Sequence, residues 1–250
     1  MKKGFRILKF KKDRPIFEVK DLSKSFDGRP ILKKLSIKVF PSEIVGILGP
    51  NGCGKTTLFS MCIGEQSPDS GRIFLNNKSI EEIPIHLRSK EGLGYFPQQR
   101  SVFNMSVFSN IMGLAQETIK GAEKQREMTE KLLDEFNLGH LRSINATMLS
   151  GGEVKRLQLA RLMLNNPKVV LLDEPLSALD PLIVEEVSKY ILKIQEKGVS
   201  IIMSEHNVKN LFALTDRNYV LGEQTVIAEG SSRELLKSSK AREIYFGSDF

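Results

Sequence analysis

Only two cysteines, Cys53 and Cys62, occur in the 250 residues. Their spacing fits neither a zinc site nor a Cys-x-x-Cys redox pair, and two in so long a chain build no disulfide framework, so a reducing, cytoplasmic setting is expected. Long apolar runs are missing as well. Stretches such as Val169–Leu172 fall far short of the roughly 18 residues that a bilayer-crossing helix needs, and no apolar segment follows the N-terminal charges in the manner of a signal peptide. The sequence therefore carries no visible span or export signal. Internal repeats and low-complexity segments are absent too.

Apolar residues make up 40% of the chain, enough to bury a substantial core without metals or cross-links. The net charge of +7 invites a nucleic-acid partner, but its distribution argues against one. Residues 1–14 hold seven Lys/Arg against Asp13 alone, which leaves 30 basic and 29 acidic side chains for the other 236 residues. A body so nearly neutral is not built to hold a phosphate backbone. The basic extension, residues 1–15, reads as a solvated tail, with anionic lipid headgroups as the alternative partner.

Residues 16–250 read as one α/β domain. From Phe17 to Val39 the pattern is that of antiparallel strands, with Asp27-Gly28 as a hairpin turn and Leu35, Ile37 and Val39 alternating inward. Ile44–Leu48 is a short apolar run, then a glycine-rich stretch leads into helix-compatible Lys55–Ile63. Val169–Leu172 and Val199–Met203 are two more candidate buried strands, and Pro181–Ile194 between them carries apolar residues at helical spacing. These features predict βαβ architecture with a mainly parallel sheet, preceded by an antiparallel β subdomain; with the phosphate-binding pattern of Gly49–Thr56, the expected fold is a P-loop NTPase core. Residues 105–165 lack strand alternation and are rich in helix formers (Glu117–Phe136, Glu153–Leu164), which predicts an inserted helical subdomain. Strands Asn218–Leu221 and Thr225–Glu229 and a helical tail over residues 232–250 close the pattern.

Gly49-Pro50-Asn51-Gly52-Cys53-Gly54-Lys55-Thr56 matches the phosphate-binding pattern G-x-x-x-x-G-K-[ST], placed between a predicted strand and a predicted helix as the motif requires. The loop and the following Thr57 are expected to bind ATP, with backbone N–H groups and a helix N-terminus turned to the phosphates, Lys55 on the β- and γ-phosphates and the Thr56 hydroxyl on Mg²⁺. Asp173 and Glu174 end the Val169–Leu172 strand and so stand at the carboxyl edge of the sheet. Asp173 is expected in the Mg²⁺ shell and Glu174 at the attacking water. An Asp-Glu pair before a proline is common by itself; with the P-loop it gains meaning. Cys53 fills a variable loop position by packing, although a thiol near a helix N-terminus can have a lowered pKa, which raises redox control as a weak alternative.

Leu149-Ser150-Gly151-Gly152-Glu153 resembles the signature sequence of ABC ATPases, and the other motifs stand around it in that family's order. The resemblance runs from about Phe17 to Phe250. It implies that Gln98 is the glutamine that contacts Mg²⁺ and water, that Ser177–Asp180 is the loop in which Asp180 meets the nucleotide, that His206 reaches the γ-phosphate and that Phe26 stacks on adenine. A lone histidine is usually structural, as His86 and His140 are taken to be; His206 gains its role from its place after a buried strand. Ser150-Gly151-Gly152 also reads as a simple helix cap after a turn. As a second helix-terminus anion site it implies a head-to-tail homodimer in which two protomers enclose two ATP molecules.

The subfamily rests on three further stretches: Ile83–Arg88 leading into Gly92–Gln98, then Glu205-His-Asn-Val208, and the ending Tyr245–Phe250. Together they resemble the ATPase of the lipopolysaccharide exporter of Gram-negative bacteria. That family places two ATPase copies beneath two different membrane subunits, on the cytoplasmic face of the inner membrane, and the resemblance implies that Gln98–Val107 receives those subunits. This region is about one residue shorter than in the family, and Asn104 stands beside Phe103 where an arginine is expected. The ATPase of branched-chain amino-acid uptake is similar through the core. A soluble ABC ATPase without membrane partners is expected to carry a coiled-coil insertion or a second P-loop, and a regulator without turnover to lack Glu174 or His206; neither description fits this chain.

Overall fold

In the computed structural model residues 14–238 are described. The basic extension up to Asp13, most of the expected C-terminal tail and the Tyr245–Phe250 ending lie outside the described residues. The elements run in the order β1 (Phe17–Phe26), β2 (Arg29–Val39), β3 (Ile44–Leu48), α1 (Lys55–Ile63), β4 (Ser70–Leu75), β5 (Lys78–Ser79), α2 (Ile85–Glu91), β6 (Leu93–Phe96), α3 (Val107–Thr118) and α4 (Ala122–Glu135). They continue with α5 (Gly151–Met163), β7 (Val169–Asp173), α6 (Pro181–Glu196), β8 (Ser200–Ser204), α7 (Val208–Leu214), β9 (Arg217–Gly222), β10 (Thr225–Gly230) and α8 (Ser232–Leu235), with two short 3₁₀ turns between α4 and α5.

Two sheets result. The first, in the order β2-β1-β4-β5, is antiparallel, and its opening hairpin turns at Asp27 and Gly28, both with positive φ. The second has the order β10-β9-β3-β8-β7-β6 and is parallel except for its edge strand β10. Every residue of β3, β7 and β8 is buried, because both faces of this sheet are covered. Ile44, Leu48, Val170, Leu172, Ile201 and Met203 point to one core with α3, α5 and α6. Val45, Ile47, Val169, Leu171 and Ile202 point to another, with α1 and the antiparallel sheet. The continuous apolar runs of the sequence are thus two-sided strands.

The helical insertion differs from its expected outline in one place. The helix-rich stretch Glu117–Phe136 is broken: α3 ends at Thr118, Ile119 is extended, and Gly121 (φ 96°) precedes the start of α4. That left-handed φ suits glycine and ends the first helix. α6 follows expectation, burying Val187, Ile191 and Ile194 while Glu185 and Lys189 pair at 3.0 Å on its exposed side.

Arg217 fastens the two sheets together. From β9 it donates to Glu43 at 2.8 Å and to the Lys38 carbonyl of β2 at 2.6 Å, while the Lys38 N–H donates to the Tyr219 hydroxyl at 3.0 Å. Glu43 is buried, so removal of its partner strands a charge. Arg217→Ala is therefore expected to lower the unfolding free energy by about 3 kcal/mol in urea titrations, without change in the P-loop's affinity for nucleotide.

Candidate active site

The site lies where the parallel strands of the six-stranded sheet end. β3 feeds the loop Gly49–Gly54, which opens directly into α1. Gly49 approaches its neighbours so closely that a Cβ there would stand 2.5 Å from Cys53 Sγ and 2.6 Å from the Leu221 carbonyl oxygen, and Gly54 holds a left-handed φ of 102° as the N-cap of α1. No side chain caps α1 and no acid sits in its first turn, so its N-terminal N–H groups and its dipole are available to an anion. The Lys55 ammonium folds back over the loop, donating to the carbonyls of Gly49 at 2.7 Å and Pro50 at 3.1 Å. Pro50, Asn51, Gly52 and Thr56 are exposed around it, and Thr57 is half-buried.

Two of the residues expected at the reacting end converge on the carboxylate of a third. Glu174, just past β7, accepts from Gln98 Nε2 at 2.8 Å on Oε2 and from His206 Nε2 at 2.6 Å on Oε1. Gln98 follows β6 and His206 follows β8, so neighbouring strand ends supply all three. The family resemblance gave Gln98 to the cation and His206 to the terminal phosphate; in this arrangement both bind Glu174. Glu174 has φ 49°, a left-handed conformation that is costly for a residue with a side chain.

Asp173 ends β7 as expected. Its Oδ1 accepts from the Ser204 hydroxyl at 2.7 Å, whereas Oδ2 is buried and makes no hydrogen bond of good geometry among the described residues, the Tyr95 hydroxyl being the side chain that approaches the carboxylate besides Ser204. Burial pushes this carboxyl upward. A buried carboxylate oxygen without a well-made hydrogen bond fits a hard divalent cation such as Mg²⁺, with the Thr56 hydroxyl and the Gln98 amide as the other donors the sequence offers.

The remaining positions are more dispersed. Phe26 ends β1 with its ring 41% exposed and the Lys24 ammonium 5.4 Å from the ring centre. Asp180, exposed, is the N-cap of α6 and makes no side-chain cap, with Pro181 next in line. Ser150 is the N-cap of α5, and Glu153, which has no role of its own in the sequence motif, accepts from the Ser150 N–H at 2.8 Å and from its hydroxyl at 2.7 Å in a full capping box. The Ser-x-x-Glu spacing announced that box. Hydrogen bonding from Ser150 holds the Glu153 carboxyl below its usual range. Gly151 is exposed, and Gly152 is pressed against α6, where a Cβ would meet Ile183 Cγ2 at 2.5 Å. Cys53 packs against the loop as expected, and burial raises its thiol pKa, the opposite of the lowering that a helix N-terminus would bring.

The segment after Gln98 borders a groove of about 250 Å³ lined by Ile85, Arg88, Tyr95, Pro97, Ser101 and Arg161 among others. Further along the same segment, Asn110 bonds to Phe103, Met105 and Ser106, and Phe103 is 48% exposed. Asn104 is engaged with Asn145 at 2.9 Å, and the guanidinium that contacts Phe103 comes from Arg161 on α5, 4.6 Å from the ring centre.

A glycine loop entering a helix beside a strand-end acid defines a P-loop nucleotide hydrolase, and the added Ser-Gly-Gly helix start narrows that class. Residues 32–177 match the family model described as ABC transporter, and the chain belongs to this family as an ATP-binding, ATP-hydrolysing transporter subunit. Among similar proteins, the lipopolysaccharide export system ATP-binding protein LptB of Escherichia coli K12 is 37% identical over 233 residues, covering 92% of this chain and 97% of that one. LptB of Haemophilus influenzae is 35% identical over 237 residues, covering 94% and 98%. A crystal structure of a nucleotide-free ATP-binding cassette from an ABC transporter superposes with a TM-score of 0.83 at 28% identity, covering 94% of this chain and all of the other. The cbiO1 structure from Clostridium perfringens, part of the ABC transporter complex cbiONQ, gives 0.83 at 29% identity, covering 92% and 93%.

Glu205, next to His206, went unassigned in the sequence. It is buried, its Oε1 accepts from the Leu176 N–H at 2.5 Å, and burial pushes its carboxyl up to about 7. A carboxyl raised from 4.5 to about 7 binds more protons folded than unfolded, so its contribution favours the folded state at low pH and is withdrawn as pH rises through that window. Relative to Glu205→Gln, the wild type is expected to lose on the order of 3 kcal/mol of unfolding free energy between pH ~5 and pH ~8, read from urea titrations across that range.

Proposed function

We propose that this chain is the ATPase of a lipopolysaccharide exporter, working as a homodimer on the cytoplasmic face of the inner membrane beneath two integral membrane subunits. The observation that carries the hydrolytic part is the Glu174 carboxylate held between Gln98 and His206 at the strand ends. The similarity to LptB over nearly the whole of both chains supports the cargo. Among the described residues no helix is long and apolar enough to cross a membrane, so membrane attachment in this reading comes through the partner subunits.

ATP phosphates take the place of the Gly49 and Pro50 carbonyls as partners of the Lys55 ammonium, and the N–H groups of the loop and of α1 close around them. Thr56, Gln98 and Asp173 would hold Mg²⁺, which would supply neutralisation of phosphate charge. Phe26 offers its exposed face to adenine, with Lys24 beside it. Glu174 accepts the proton of the attacking water, and His206 Nε2 donates toward the terminal phosphate as its bond to Glu174 is exchanged. The products are ADP and phosphate. The α5 N-terminus of the second protomer, with Ser150, Gly151 and Gly152, and its Asp180 complete each site from across the dimer. Closure and reopening of that dimer move the membrane subunits, which contact the groove beside Gln98–Val107.

Glu174→Gln keeps the size of the side chain and one acceptor oxygen but loses the second acceptor and the basicity of the carboxylate. The variant is expected to bind ATP with wild-type affinity, to lose at least about 100-fold in kcat and to accumulate as dimers in ATP on size-exclusion chromatography; full turnover removes the assigned role. The cargo is tested separately, by purifying the tagged chain from its native membrane in mild detergent and identifying what accompanies it. Two distinct membrane subunits with lipopolysaccharide are expected, and amino-acid permease subunits in their place contradict the exporter reading.

A further inference from the structure

Two buried ionisable side chains lie directly behind Glu174, and neither has a part in the chemistry described above. Lys155, on the second turn of α5, is 9% exposed; its ammonium lies 5.0 Å from the centre of the Phe96 ring and donates to the Glu174 carbonyl at 3.5 Å. Glu205 is 3% exposed and accepts from the Leu176 N–H. The two side chains thus grip the main chain on either side of Pro175, one from α5 and the other from the end of β8.

The segment they grip is the strained one. Glu174 stands in a left-handed conformation, and its carbonyl must serve Ser177 as well, which donates from its N–H at 3.2 Å and its hydroxyl at 2.9 Å. The Glu174 N–H is in turn held by Ser204, through the carbonyl oxygen and the hydroxyl, each at 3.2 Å. A left-handed residue with a side chain persists only where its surroundings over-determine it. Apolar side chains would fill the space of Lys155 and Glu205 at less desolvation cost, so the charges contribute something other than packing. What they contribute is two fixed main-chain hydrogen bonds at the root of a carboxylate whose aim matters to within about an ångström.

We propose that Lys155 and Glu205 are positioning residues for hydrolysis, a buried pair that holds the Glu174–Leu176 backbone so that the Glu174 carboxylate points at the reacting water. The inference rests on the reading of Glu174 as the base. The charges around the pair support it: Glu205, Glu174 and Asp173 all help keep Lys155 protonated against the cost of burial, and Lys155 acts in the opposite sense to burial on Glu205. Neither residue reaches the phosphate loop through any of these contacts, so the pair acts on turnover and leaves nucleotide binding alone.

The test is steady-state ATPase kinetics on the full chain, with ATP affinity measured separately, for Lys155→Met, Glu205→Ala and Glu205→Gln, and with Glu174→Gln as reference. Lys155→Met keeps the stem over Phe96 and loses the donor; Glu205→Gln keeps an oxygen for the Leu176 N–H. Lys155→Met and Glu205→Ala are each expected to lower kcat at least about fivefold with KM for ATP and ATP affinity within about twofold of wild type, while Glu205→Gln recovers most of the loss. A kcat loss smaller than about fivefold in both variants overturns the proposal, and so does a loss matched by an equal fall in ATP affinity. Should Glu205→Ala not fold, Lys155→Met decides by the same threshold. Full turnover by Glu174→Gln removes the base and the pair together, whereas an inactive Glu174→Gln beside active Lys155→Met and Glu205→Ala removes the pair alone.

Discussion

The parallel pairing of β3 with β8 and of β8 with β7 is the constraint on which the rest of the molecule depends. These strands are buried on both faces, so no polar side chain can leave them sideways, and chemistry is confined to where they stop. Their registers set those stops side by side: Ile47 of β3 pairs with Ser204 of β8, and Ser204 pairs with Asp173 of β7. One residue beyond these pairs the chain becomes polar, at Glu174 and Glu205, or nears the phosphate loop. A shift of register by one residue would exchange the two cores and pull this edge apart at once.

The same edge explains why charge there is rationed. Asp173, Glu174 and Glu205 are three acids in a buried corner, with Lys55 and Lys155 as the nearby cations. Each acid has found a different resolution. Asp173 is pushed upward and keeps one oxygen without a well-made hydrogen bond, which suits a cation; Glu174 is bound by two side chains that can be exchanged; Glu205 is committed to a backbone N–H. Identical carboxylate chemistry thus serves three ends through surroundings alone.

Much of this was legible in the sequence, and the boundary of legibility is physical. Lys55–Ile63 emerges with its expected bounds because a glycine loop, a lysine and an apolar strand fix that helix locally. The β1–β2 hairpin and α6 are equally local, written in a turn dipeptide and in helical spacing. Gly121 was visible too, yet the helix formers on both sides masked the break it makes between α3 and α4. The contact of Gln98 with Glu174 spans 76 residues of sequence and exists only because β6 lies beside β7. Lys155 and Glu205 read locally as ordinary charged residues, one in a helix and one after a strand. Only tertiary packing reveals that both are buried against the same three residues of backbone.

Asn104, the departure from the exporter pattern, meets a similar answer at the face assigned to the membrane subunits. A guanidinium does contact Phe103, but it belongs to Arg161 of α5, which also donates to the Ser101 carbonyl. The positive charge at this face is therefore anchored to the helix that begins at Ser150 instead of to the loop itself. Arg88 makes a second such anchor on the other side of the groove: it donates to the Met61 and Cys62 carbonyls at the end of α1, both at 2.7 Å, and to Ile83 and Glu81 beside α2. The groove is thus bounded by the two helices whose N-termini are the anion sites of the proposed dimer, α1 and α5. The groove and the two helix N-termini are therefore joined through continuous helices, with Ile63 at one end of α1 and Arg161 on α5 lining the groove.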